Sequence, residues 1–147
     1  MQTIRKPATI INAEGLILGR MASIIAKRLL DGEEIVIVNA EKTVLSGKRK
    51  SKVAESKEFL DVGYPRAGPF HYKRPDRIVR RTIRGMLPYK QPKGKNAYRR
   101  LKIFMGLPED FKDLKTETLE DAQAKKLKCA HLTVGELAKE IGWTPGE

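Results

Sequence analysis

The chain has a single cysteine, Cys129, so no intrachain disulfide can form and a reducing compartment is expected. It has no apolar run of about 18 residues, so no membrane-spanning helix and no membrane partner are expected. Its first residues lack the apolar stretch of a secretory leader, and export is not expected either. Histidine is limited to His71 and His131. Cys129-Ala130-His131 offers two metal-capable side chains without a second pair to complete a tetrahedron, so no metal is expected. No Ser or Cys nucleophile motif accompanies His71, and no carboxylates fall into an acid–base pair: Glu33-Glu34 precede a strand, Asp76 opens a helix, and most others lie after Gly106. Gly15-Leu-Ile-Leu-Gly19-Arg20 sits between a strand and a helix, where nucleotide loops occur. Its glycines are four apart and match neither the dinucleotide nor the P-loop fingerprint. A cofactor, a small-molecule substrate and catalysis are therefore not expected. An RNA-acting enzyme using that loop remains the rival reading.

The other scarcity is local. Residues 48–105 hold 18 Lys/Arg against 4 Asp/Glu, whereas residues 1–47 hold 6 against 5 and residues 106–147 hold 6 against 9. The whole net charge of +12 thus arises in the middle of the chain. Charge serving only solubility would be spread; a patch with a pI near 9.9 is the footprint of a polyanion partner.

A length of 147 residues suits one domain with a real core. Thr9-Ile10-Ile11 and Ile35-Val36-Ile37-Val38 read as strands, the second covered on both faces as in a parallel sheet. Met21, Ile24, Ile25 and Leu29 recur at helical spacing from Arg20 to Leu30. Thr43-Val44-Leu45 is a further short strand, and Asn39 to Lys42 is either a tight turn or a short helical crossover. A helix from Lys48 to about Leu60 opens on Lys48, Arg49 and Lys50. Leu101 to Met105 reads as the last strand. Thr133-Val134-Gly135-Glu136 is a capping box opening a final helix. The pattern predicts a small α/β layer structure.

From Asp76 to Leu87 a helix is expected with Arg77, Arg80, Arg81 and Arg84 at i, i+3, i+4 and i+7, one stripe at about 100° per residue. Val79, Thr82, Ile83 and Met86 fall opposite, toward a core. The only acid between Lys73 and Gly106 is Asp76. A row of guanidiniums suits phosphate oxygens. A Lys/Pro/Gly tract with Lys90, Lys93 and Lys95 follows, then a short helix from Asn96 and a basic run at Arg99, Arg100 and Lys102. Before the helix, Val62 to Pro75 holds three Pro and two Gly. It reads as an extended arm that its partner would order. There Tyr64, Phe70, His71 and Tyr72 alternate with Arg66, Lys73 and Arg74. With Tyr98 they supply flat faces for bases and cations for backbone, or else they pin the arm to its own domain. The helix N-terminus beside Arg20 is a further candidate meeting point for a phosphate of a larger ligand.

Ile83-Arg-Gly-Met-Leu-Pro88, five residues, Gly94-Lys95, five residues, Leu101-Lys-Ile-Phe-Met-Gly106 resembles the signature of the L13 family of large-subunit ribosomal proteins. Leu18-Gly19-Arg20-Met21-Ala22, then Ile35 to Lys42, then Ser46-Gly47-Lys48, resemble the same family in the same order. The resemblance covers about residues 8–106. The bacterial insertion between the first helix and second strand is missing. The Gly68-Pro-Phe-His-Tyr-Lys-Arg-Pro75 arm and the C-terminal capped helix resemble the archaeal–eukaryotic branch, and the shortness of the chain favours archaeal members. The resemblance implies a three-layer α/β/α fold with a four-stranded, mainly parallel sheet. It implies a cytoplasmic ribosomal protein that binds large-subunit rRNA and supports subunit assembly. The turn at 85–88 and the tract to Lys102 would lie on rRNA, with Arg20 and Lys48 nearby. Segments 62–75 and 88–100 would be extended RNA-binding segments. The acidic region 107–147 would be a C-terminal extension that meets its own domain or a neighbouring ribosomal protein.

Overall fold

A computed structural model describes residues 8–146. Four strands form one parallel sheet in the order β4-β2-β1-β5: β1 (Thr9–Asn12), β2 (Ile35–Val38), β4 (Leu101–Ile103) and β5 (Thr116–Glu117). β1 and β2 are central and in register, Ile10 beside Val36 and Ile11 beside Ile37. Alternation along the strands sends these pairs to opposite faces. On one face Ile11, Ile35, Ile37 and Leu101 meet Met21, Ile25 and Leu29 of α1 (Leu18–Leu30), Val79 and Ile83 of α3 (Pro75–Gly85), and Ala97 of α4 (Pro92–Arg99). Each large side chain buried here stabilises the fold by about 1.5–3 kcal/mol. On the other face Ile10, Val36 and Val38 are covered, among the described residues, by Ala8, Phe104 and Phe111. The four-stranded parallel sheet and α/β class are those the resemblance implies.

A second, two-stranded antiparallel sheet pairs β3 (Val44–Ser46) with β6 (His131–Thr133). β6 leads into α5 (Val134–Glu140) through the expected capping box: Glu136 N–H donates to Thr133 Oγ1 at 3.2 Å, and Thr133 N–H to Glu136 Oε2 at 3.1 Å. Leu132, Leu137 and Ile141 then pack with Val53 and Leu60 of α2 (Arg49–Asp61) and with Ile78 of α3. α2 buries no residue fully and stands away from the sheet.

Three expectations need correction. Leu101–Ile103 is not the last strand, because β5 and β6 follow and join one sheet each. β5 is two exposed polar residues held by their neighbours, which no apolar pattern reveals. The tract at 88–100 is not extended: Pro92 stands in the first turn of α4, where its fixed φ and missing N–H are tolerated, so the helix begins four residues before Asn96. Helix α3 stops at Gly85, and Met86, expected inward, turns out to solvent. The Asn39–Lys42 connection is a single 3₁₀ turn at Ala40–Lys42, entered through Asn39 at φ 57°.

Gly94 explains one spacing in the motif. It is buried where α4 backs onto the turn after α3, and a Cβ there would lie 2.0 Å from the Pro88 carbonyl oxygen. Backbone cannot yield that distance. Gly94→Ala is expected to lower unfolding stability by about 1–3 kcal/mol. Gly19→Ala, where a Cβ meets nothing within 4 Å, is expected to be neutral or to stabilise by about 0.4–1 kcal/mol. Urea denaturation of the two variants checks the contrast.

Candidate nucleic-acid interface

α3 is built to face two ways. Pro75 occupies its first turn, and Asp76, the one acid there, places a carboxylate by the unpaired N–H groups, 3.3 Å from Arg74 Nε. Val79 and Ile83, four apart, are fully buried against the sheet layer. That fixes the rotation of the helix, and the arginines take the remaining side. Arg77 and Arg81 are exposed, while Arg80 and Arg84 are half-buried.

The half-burial comes from aromatic rings. The Arg84 guanidinium lies over Tyr89 at 4.2 Å and Arg80 over Tyr98 at 4.5 Å; Arg77 lies 5.8 Å from the Tyr72 ring. Tyr89 and Tyr98 meet edge-on, with centroids 5.5 Å apart at 87°. Stacking uses the face of a guanidinium and leaves its in-plane N–H fork directed outward. It also restrains side chains that otherwise carry about 2 kcal/mol of rotamer entropy. Among the described residues none of Arg77, Arg80, Arg81 and Arg84 has a carboxylate within ion-pair distance. Other arginines do: Arg28 reaches Glu33 at 2.9 Å and Glu117 at 3.0 Å.

The turn after α3 is closed by Met86 N–H to Ile83 O at 3.0 Å, Leu87 N–H to Arg84 O at 3.1 Å and Gln91 N–H to Pro88 O at 3.0 Å. Leu87 is buried, which pins the turn. Lys90, Lys93, Lys95 and Arg99 are exposed along this turn and α4, next to the stacked arginines. Arg20 is exposed in the first turn of α1, a helix that packs on both α3 and α4. Lys48 and Lys50 are exposed at the start of α2.

Three of the expected contacts are already engaged, Arg74 by Asp76 as described above. Arg49 is ion-paired and hydrogen-bonded to Glu140 of α5, which raises its pKa. Arg100 donates from Nη2 to the Leu29 carbonyl at 2.6 Å, so it serves the C-terminal end of α1. Residues 62–74 carry no helix or strand, as expected, but they are not simply extended. Tyr64 and Gly68 exchange backbone hydrogen bonds of 3.1 and 2.8 Å, closing a small loop that presents exposed Arg66. Tyr64 is 63% exposed and Phe70 72%. His71 stands 5.6 Å from Phe59, ring to ring, and Lys73 and Arg74 are exposed beside it. Tyr98, by contrast, is held under Arg80.

Sequence reasoning missed Tyr89 and Phe59. Tyr89 is five residues past Arg84, and only the tight turn at 85–88 folds it back beneath that arginine. In the Gly15–Gly19 loop the N–H groups of Gly15, Leu16 and Ile17 donate to the Lys42, Ala13 and Ala122 carbonyls at 3.3, 3.2 and 2.7 Å, which leaves the first turn of α1 as the part that could face a phosphate. Among the described residues no helix is long and apolar enough to cross a membrane, and no three His, Cys, Asp or Glu side chains group as a metal site would need.

The model of the family described as ribosomal protein L13 matches residues 6–110. The chain belongs to the ribosomal protein L13 family. It is 49% identical over 136 residues to the large ribosomal subunit protein uL13 of Methanosarcina barkeri, covering 91% of this chain and 97% of that protein. It is 43% identical over 145 residues to the uL13 of Archaeoglobus fulgidus, covering 97% and 93%. It is 46% identical over 139 residues to that of Methanocaldococcus jannaschii, covering 91% and 97%. These archaeal L13 relatives align well beyond Gly106, so the C-terminal region is shared with them.

The stacked pairs give a direct check. A double-mutant cycle on Arg84 and Tyr89, each changed to Ala, is expected to show a coupling of about 0.5–1 kcal/mol in thermal unfolding. Strictly additive losses would show that the guanidinium does not rest on the ring.

Proposed function

We propose that this chain is a non-catalytic constituent of the large ribosomal subunit, in the cytoplasmic ribosome, where it binds large-subunit rRNA and supports its assembly. The observation that carries this reading is α3: a core helix whose outer side holds two guanidiniums over tyrosines, with no carboxylate among the described residues within ion-pair distance of them. Such a face is ready for phosphate oxygens, because its cations are oriented before the RNA arrives and are not spent on internal pairs. Lys90, Lys93, Lys95 and Arg99 extend the cationic surface along α4, and Arg66, Lys73 and Arg74 extend it along the arm. Lys48 and Lys50 belong to the same positive middle of the chain, and Arg20 stands on α1, which packs on α3 and α4. Contacts of this kind fix the relative placement of RNA segments without chemistry.

The relatives are named as large-subunit proteins, which supports the same reading. Against the rival, an enzyme with a cofactor in the Gly15–Gly19 loop, the N–H groups of Gly15, Leu16 and Ile17 are already bonded within the fold. Neighbouring ribosomal proteins are the partners proposed for the acidic C-terminal region.

Binding of the purified chain to large-subunit rRNA, measured from 50 to 200 mM salt, tests the proposal. With roughly 6–10 phosphate contacts the affinity should fall about 10³–10⁵-fold. Arg77→Gln and Arg81→Gln should each reduce the log–log salt slope by about 1. Equal affinity for a DNA duplex of matched length, or binding indifferent to salt, would overturn it. Amide exchange in residues 62–74 should slow when rRNA binds; amides already protected in the free chain would exclude ordering of the arm by RNA.

A further inference from the structure

A cleft of about 510 Å³ opens between α2 and α3 and is closed at one side by the arm. Its walls include three aromatic rings, Phe59, Phe70 and Tyr72, together with His71. Phe59 is 54% exposed and Phe70 72%, so these large apolar rings gather around one concavity while each keeps much of its surface in water. Scattered exposed aromatics need no explanation, but a cluster around a cleft marks a binding surface. No carboxylate lines the cleft; its basic lining groups are Arg81, Arg84 and His71. Arg84 belongs both to this cleft and to the stack on Tyr89, so the cleft continues the cationic face without a break.

We infer that this cleft receives one unstacked nucleobase of the bound RNA, with the adjoining phosphate held by Arg81 and Arg84. The inference rests on the RNA-binding reading above and adds to it a built subsite. A single-stranded or bulged nucleotide needs a flat apolar ring against its base, a cation near its phosphate and a polar group at the base edge. The rings supply the first and the two guanidiniums the second. Thr82 supplies the third: its hydroxyl donates to the Ile78 carbonyl at 3.0 Å, which leaves oxygen lone pairs to accept from an exocyclic amine. An apolar segment of a neighbouring protein could fill the volume, but it brings no charge for the two arginines. Charge complementarity therefore favours the nucleotide.

The test uses the full chain bound to large-subunit rRNA. Ultraviolet cross-linking followed by mass spectrometry of the peptides should place nucleotide adducts on Phe59, Phe70 or Tyr72. Phe59→Ala and Phe70→Ala should each weaken binding about 5–150-fold while leaving the salt slope unchanged, since no cation is removed. Arg81→Gln should weaken binding and lower the slope. Both rings are exposed, so circular dichroism and thermal unfolding of the two variants should match the parent chain. If rRNA binds but adducts fall only on α3 and α4, and both ring variants bind like the parent, the base pocket is wrong while the RNA-binding reading stands. If the chain does not bind rRNA at all, that reading fails and the pocket with it. Cross-links from the cleft to a neighbouring protein in assembled subunits would also overturn the pocket.

Discussion

The structure depends on one helix having to serve two solvents. Val79 and Ile83 of α3 sit in the same apolar cluster as α1 and the sheet, while Arg80 and Arg84 lie over tyrosines on its outer side. Burial of the inner pair fixes the helix rotation, and the rotation fixes where the guanidiniums emerge. The tyrosines that receive them come from the turn after α3 and from α4. That turn in turn requires Gly94, whose missing side chain lets α4 approach the Pro88 carbonyl. Core, turn and cationic face are thus one construction: loosening any part would let the arginines drift.

The acidic C-terminal region fits this division of labour. Glu117 and Glu140 pair with Arg28 and Arg49, both outside α3. β5 adds a strand to the main sheet, and β6 with α5 packs beside α2 and α3. Negative charge is spent at positions where it ties the chain together, and the α3 arginines keep their full charge for an external anion. Exposed ion pairs of this kind contribute little stability singly, about 0–1 kcal/mol, so their main effect is on where charge remains uncompensated.

Much of this was legible in the residues. The β-branched runs gave the two central strands, the 3.6-residue spacing gave α1 and α3, and the capping box at Thr133 gave the start of α5. The patch of charge marked the middle of the chain as the candidate interface, and the long Leu-Pro to Gly-Lys spacing carried the family. What was not legible depended on tertiary contact. β5 is two polar residues defined by a neighbour rather than by composition. Only the first turn of helix α4 was hidden, because a Lys/Pro/Gly tract reads as loop until Pro92 is seen at a helix start. Arg49 and Arg100 resemble their basic neighbours in sequence, yet Glu140 and the Leu29 carbonyl claim them. Tyr89 gains its role only through the turn that folds it under Arg84.

The central claim is that the middle of the chain, carried by α3, is the surface facing rRNA, and lysine reactivity tests it most directly. Acetylation of surface lysines would be compared between the free chain and the chain within large subunits. Lys48, Lys50, Lys73, Lys90, Lys93 and Lys95 should lose most of their reactivity in the subunit, and more than Lys112, Lys115, Lys125, Lys126, Lys128 and Lys139 do. The first group remaining as reactive as in the free chain, with protection confined to the second, would contradict it.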